Sequence, residues 1–93
     1  MIKTFASKST RKLFEREPVT RFPASLLETM LRKLVAIHVA KSLDDLRVPP
    51  GNRLEKLKGR RAGKHSIRIN DQWRACFSWK DGDAYEVEII DYH

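Results

Sequence analysis

The chain has 93 residues, 41% of them hydrophobic and 33% charged, with a formal net charge of +7 and one cysteine, Cys76. That length suits one domain, residues 1–93, around one modest core. No apolar run approaches the roughly 20 residues that span a bilayer, the opening MIKTFASKSTRKLF lacks an apolar stretch of signal-peptide length, and a lone cysteine excludes an internal disulfide or a cysteine-cluster zinc site. The expectation is a soluble cytoplasmic protein, with no membrane association, metal or cofactor. The positive charge is concentrated: residues 47–80 carry 10 Lys and Arg against 2 acids, Glu55 and Asp71. A localised basic surface attracts polyanions, nucleic acid foremost.

In chain order, Ile2 to Phe5 is predicted as a short first strand. Ser9 or Thr10 caps a helix reaching about Glu15, with Leu13 and Phe14 turned inward. Pro18 and the Arg21-Phe22-Pro23 turn end that element, and Pro23 opens a long helix. Leu27, Met30, Leu31, Leu34 and Ile37 follow its buried stripe at three-and-four spacing. Ser42 with Asp45 reads as a capping box for one further turn, SLDDL. RVPPGN (47–52) is a loop, after which Leu54 and Leu57 return to the core among exposed bases. The period then changes to two, giving strands at about 64–69, 73–79 and 84–91. Helices first and an antiparallel meander after define an α+β fold, with N-terminal helices packed on a twisted antiparallel sheet.

Because a one-residue slip turns every side chain to the wrong face, the alternation also predicts register. A loop of Asn70 to Gln72 sets Ile69 opposite Trp73 and Ile67 opposite Ala75. At the second turn, a two-residue loop of Asp81-Gly82 would pair Phe77 with Glu86 and Ala75 with Glu88. A three-residue loop, Asp81 to Asp83, instead pairs Trp79 with Tyr85, Phe77 with Val87 and Ala75 with Ile89, and is the predicted register. The reverse, solvent-facing side then carries Ser66, Arg68, Arg74, Cys76 and Ser78, with Ile90 opposite Arg74 and Tyr92 diagonally beyond.

This register sets Arg68 opposite Arg74 with no acid beside them, an unfavourable pairing relieved either by a phosphate bridging them through bidentate contacts or by both guanidinium groups splaying into water, where screening weakens the repulsion. Lys56, Lys58, Arg60, Arg61 and Lys64 precede the strand and rim the same face in this reading. The sequence closes on Asp91-Tyr92-His93, next to the arginines. His93 titrates near neutrality and can move a proton, Tyr92 can stack on a base, and Asp91 can orient His93 or transfer a proton itself. A phosphate clamp with an acid–base group suits metal-free RNA cleavage, the ribose 2′-hydroxyl attacking its own phosphodiester. His38, in the helical stripe, and His65, on the apolar side, are expected to be structural.

MIKTF, LDDLRVPPGNRLEKLKG, AGKHSIRINDQWRACFSW and EVEIIDYH together resemble the HigB toxins of the RelE-like superfamily, from type II toxin–antitoxin systems. The resemblance implies a RelE-like toxin fold and a ribosome-dependent mRNA endonuclease that inhibits translation. It also implies neutralisation by a HigA-like helix-turn-helix antitoxin, through whose complex alone operator DNA would be contacted, and binding to ribosomal RNA. Carried over by position, the family's active-site motif falls on Lys58, Arg74, Asp91, Tyr92 and His93. Some HigB proteins place a histidine where this chain has Glu55, which makes Glu55 a candidate proton-transfer group; Arg68 follows from the register. Two rivals stand beside it: a ParE-like gyrase inhibitor, which shares the fold but not the activity, and a non-catalytic RNA- or ribosome-binding module using the same basic face.

Overall fold

The computed structural model describes residues 1–92. Helix α1 (Lys8–Phe14) and helix α2 (Leu27–Val39) precede four strands, β1 (Glu55–Lys56), β2 (His65–Arg68), β3 (Trp73–Lys80) and β4 (Asp83–Asp91). The strands form one antiparallel sheet in the order β1-β2-β3-β4. The α+β architecture is therefore the predicted one, with β1 as an addition. Its two residues are exposed charges carrying no apolar alternation, which is why the pattern did not reveal it.

The first residues make isolated parallel bridges rather than a full strand, Ile2 to Ala84 and Phe5 to Val87. Lys3 N–H donates to the Ala84 carbonyl and Ala6 N–H to that of Val87. These contacts cover the outer edge of β4, which would otherwise offer unpaired backbone groups. The cap of α1 is Ser7, not Ser9 or Thr10: its Oγ accepts from the Thr10 N–H at 3.1 Å. Thr10 instead lies buried, its hydroxyl accepting from the Ile89 N–H. A 3₁₀ turn, Ala24–Leu26, follows Pro23 and leads into α2. From α2, Met30, Leu34 and Ile37 are wholly buried against the sheet, with Leu27 and Leu31 half-buried beside them.

The Asp45 carboxylate accepts from the backbone N–H groups of Lys41 and Ser42, and these bonds hold its pKa below the usual carboxylate value. Beyond it, Asn52 fastens the loop that follows. Its Nδ2 donates to the carbonyls of Leu46 and Val48, its Oδ1 accepts from Lys33 on α2, and the side chain is 1% exposed.

The first hairpin has the predicted register, with Ile67 opposite Ala75 and Arg68 opposite Arg74. Asn70 organises its turn, its Oδ1 accepting from the N–H groups of Gln72 and Trp73. The second hairpin departs from expectation. Lys80 pairs with Asp83, so the turn is the two-residue Asp81-Gly82, with φ of 51° and 83°. Positive φ at both central residues is what a tight hairpin matched to strand twist requires. Trp79 therefore pairs with Ala84, and Ser78 with Tyr85. Between Cys76 and Ser78 the register shifts, Glu86 takes φ 52°, and Ala75 regains its predicted partner Ile89. An extra residue opposite Phe77, a β-bulge, reconciles the short turn with the apolar pattern.

One sheet face packs Ile67, Ile69, Trp73, Ala75, Phe77, Val87 and Ile89 against the helices. Its reverse is not open to solvent as predicted: Ser66, Arg74 and Cys76 are 0%, 6% and 1% exposed.

Candidate functional site

Arg74 sits near the middle of that reverse face, and its guanidinium is held by groups from two other segments. Nε donates to Ser66 Oγ at 2.7 Å; Nη2 donates to the Arg53 carbonyl at 2.6 Å and to the Ser66 carbonyl at 3.3 Å. Ser66 belongs to the neighbouring strand. Arg53 follows Asn52 in a left-handed conformation, φ 45° and ψ 58°, which a non-glycine residue adopts uncommonly. Of the five N–H donors of a guanidinium, this leaves the pair on Nη1, which faces Glu55 Oε1 at 3.8 Å. The ring of Tyr92 lies 5.7 Å from Arg74 Cζ and is itself 44% exposed. Such a cation–ring contact keeps the guanidinium and the aromatic surface side by side.

The opposed arginines thus have another explanation than the predicted one. Arg68 Nη2 donates to Asp71 at 2.5 Å, and Arg74 has Glu55 close by. Acids do stand beside both, and each guanidinium turns to its own partners. The bidentate fork expected of Arg74 is not open either, because the Nε and Nη2 donors are committed within the protein.

Of the other predicted residues, Glu55 comes to Arg74 by pairing with Ser66 across β1 and β2. The charges of Arg61 and Lys64 act on Cys76 in the same face, and Lys64 reaches Glu86 Oε2 at 3.5 Å. Burial dominates at that cysteine and pushes its pKa up to about 11. Lys58 is exposed at the start of the Gly59–Arg61 turn and Arg60 is exposed within it. Lys56 does not rim this face. It pairs with His65, which pairs with Phe77, and so lies in a row of the opposite face. Asp91 also falls on that opposite face, opposite Trp73, with its Oδ2 accepting from Gln72 Nε2 at 3.0 Å. His93 lies outside the described residues.

His38 and His65, expected to be structural, each pack on an aromatic ring. His38 Nδ1 accepts from the Ile2 N–H and its ring packs on Phe14; His65 packs on Phe77, and burial with the nearby Lys56 charge lowers its pKa. Arg53, Asp71 and Gln72 were missed: Arg53 and Gln72 contribute backbone carbonyls, to Arg74 Nη2 and to the Tyr92 N–H, a role no side-chain pattern announces. Among the described residues no group of three or more His, Cys, Asp or Glu side chains could share a metal ion. Hollows of about 380, 450 and 520 Å³ run along α1 and the segment 16–21, and none of these three is lined by Arg74, Glu55 or Tyr92.

The architecture is that of the RelE-like toxins. It superimposes on the toxin in the YoeB–YefM complex from Staphylococcus aureus with a TM-score of 0.61 at 17% identity, covering 100% of this chain and 98% of the other. Sequence narrows the class. The family model described as HigB-like toxin, the RelE-like toxin of type II toxin–antitoxin system HigB, matches residues 3–93. Toxin HigB-1 of Vibrio cholerae serotype O1 is 40% identical over 86 residues, covering 91% of this chain and 90% of that protein. Endoribonuclease HigB of Proteus vulgaris is 36% identical over 97 residues, the full length of both. The chain belongs to the HigB family of type II toxin–antitoxin toxins.

Proposed function

We propose that the protein is a ribosome-dependent mRNA endonuclease that halts translation, and that Arg74 contacts the scissile phosphate. The observation carrying this reading is the hold on Arg74: an almost fully buried guanidinium with three donors satisfied by neutral oxygens, its Nη1 toward the half-exposed Glu55 and its Cζ 5.7 Å from the exposed Tyr92 ring. A fixed cation of this kind stabilises charge that develops on a phosphoryl oxygen without having to reorganise. The ribose 2′-hydroxyl attacks the adjacent phosphorus in line, the 5′-oxygen leaves, and a 2′,3′-cyclic phosphate remains; no metal is required for this step. Tyr92 stacks on a neighbouring base. In this reading Glu55, 3.8 Å from Arg74 Nη1, takes the 2′-hydroxyl proton and His93 returns one to the leaving oxygen, with Asp91 and Lys58 in supporting roles.

Arg60, Arg61, Lys64 and Arg68 would grip ribosomal RNA, with affinity falling steeply as salt rises. Endoribonuclease HigB carries the activity in its name. The YoeB–YefM complex pairs a toxin of this fold with an antitoxin, and the corresponding partner here is a HigA-like antitoxin that also carries any contact with operator DNA. The cytoplasm, where messages and ribosomes meet, is the site of action.

The test is translation on purified ribosomes with a defined message, mapping 3′ ends for cyclic phosphate. Arg74→Ala, checked for folding by circular dichroism, is expected to lose at least about 100-fold in cleavage rate. Parental cutting by that variant would place the phosphate elsewhere.

A further inference from the structure

We infer that Ser66 is the positioning residue of Arg74, an inference that rests on the nuclease reading for its catalytic consequence. The side chain of Ser66 is wholly buried, and its Oγ takes the only N–H on Nε. That bond fixes rotation about the Cδ–Nε axis and hence which edge of the planar guanidinium faces out. The two carbonyls on Nη2, from Arg53 and Ser66 itself, fix the remaining corner. The loop that supplies Arg53 is tied down one residue earlier by Asn52, with bonds to Leu46, Val48 and Lys33.

The chemistry of this socket matters as much as its shape. All three acceptors are neutral oxygens, so they orient the guanidinium without cancelling its charge. A carboxylate at position 66 could hold the same N–H, but it would neutralise the cation that a phosphate must feel. The nearest acid is Glu55, half exposed and 3.8 Å away on the outward edge, where substrate can displace it. Ser66 therefore gives Arg74 a direction while leaving its charge available.

The experiment follows cleavage of a message on programmed ribosomes under single-turnover conditions, with parallel NMR of uniformly ¹⁵N-labelled protein. The Arg74 Nε–H signal is assigned by its disappearance in Arg74→Lys. Ser66→Ala is expected to lower the cleavage rate about tenfold or more with half-saturation changed less than about twofold, the size expected for losing a hydrogen bond to a charged group. Hydrogen exchange at Nε should accelerate at least about tenfold in the same variant. Ser66→Thr, which keeps the hydroxyl, should restore both. In an Arg74→Lys background, which has no Nε donor, Ser66→Ala should change residual cleavage by less than about twofold. Unchanged exchange at Nε in Ser66→Ala overturns the inference. So does a cleavage loss that persists in full in the Arg74→Lys background, since Ser66 would then act elsewhere. If the parent protein cuts no ribosome-bound message, the nuclease reading fails, and the exchange measurement alone decides whether Ser66 directs Arg74.

Discussion

The two faces of the sheet are both buried, by opposite means. The helix-side face excludes water with Ile67, Ala75, Phe77 and Val87, each 0% exposed, and direction matters little to their attraction. The reverse face buries Ser66, Arg74 and Cys76 to a similar depth, but its stability depends on each polar group meeting a partner at the right angle. The contrast extends to its failures. Among the described residues the buried side-chain nitrogen or oxygen without a partner is Trp73 Nε1, on the apolar face, whereas the buried Nε and Nη2 of Arg74 have acceptors.

Substitution should separate the two faces. Phe77→Ala removes the largest fully buried side chain and should cost roughly 3–5 kcal/mol in denaturant unfolding. A loss below about 1 kcal/mol would mean the apolar layer is not the main source of stability. Arg74→Ala strands the acceptors that surround it and should cost about 1–3 kcal/mol by the same measurement, in addition to its effect on cleavage. Away from both layers, Ser7→Ala removes the α1 cap and should cost about 1 kcal/mol, seen as a small drop in Tm.

The smallest effect is a pH dependence at the rim of the apolar layer. The folded pKa of His65 lies below its ordinary 6.5 because of burial and the Lys56 charge, so as pH falls through 6.5 the unfolded chain takes up the proton first. Its contribution is present above that value and lost below it. Tm should therefore be lower at pH 5.5 than at pH 7.5, and His65→Gln should narrow the difference; a difference unchanged in that variant would assign it to other groups.

Much of the apolar face could be read from alternation alone, because each residue there is chosen by the same rule. Ile67 opposite Ala75, and Ala75 opposite Ile89, follow from it directly. The second turn was misread because a two-residue loop, extended without interruption, sets Phe77 against Glu86; the pattern holds no sign that Glu86 would take positive φ and absorb a residue. The reverse face was harder. Alternation assigns Arg74 to solvent and cannot see that the segments carrying Arg53 and Glu55 fold back over it. Arg74 and Tyr92 could be brought together by counting along the strands, but Lys56 and Asp91 depend on parity, and both lie across the sheet from Arg74.

The extra residue at Glu86 decides more than local fit. Upstream of it, each pair of facing residues on the last two strands has numbers adding to 163, as in Ser78 with Tyr85; past it they add to 164, as in Arg74 with Ile90. Were Glu86 to take its place in the ladder opposite Phe77 instead of bulging out, the final stretch would turn over, presenting the aspartate to the guanidinium and sending the tyrosine to the helix side. The identity of the group that meets Arg74 is thus set by a kink a few rungs away: deleting the extra residue would keep Arg74 opposite Ile90, whereas closing the kink around it would exchange an aromatic neighbour for an acidic one without altering any residue of the cluster itself.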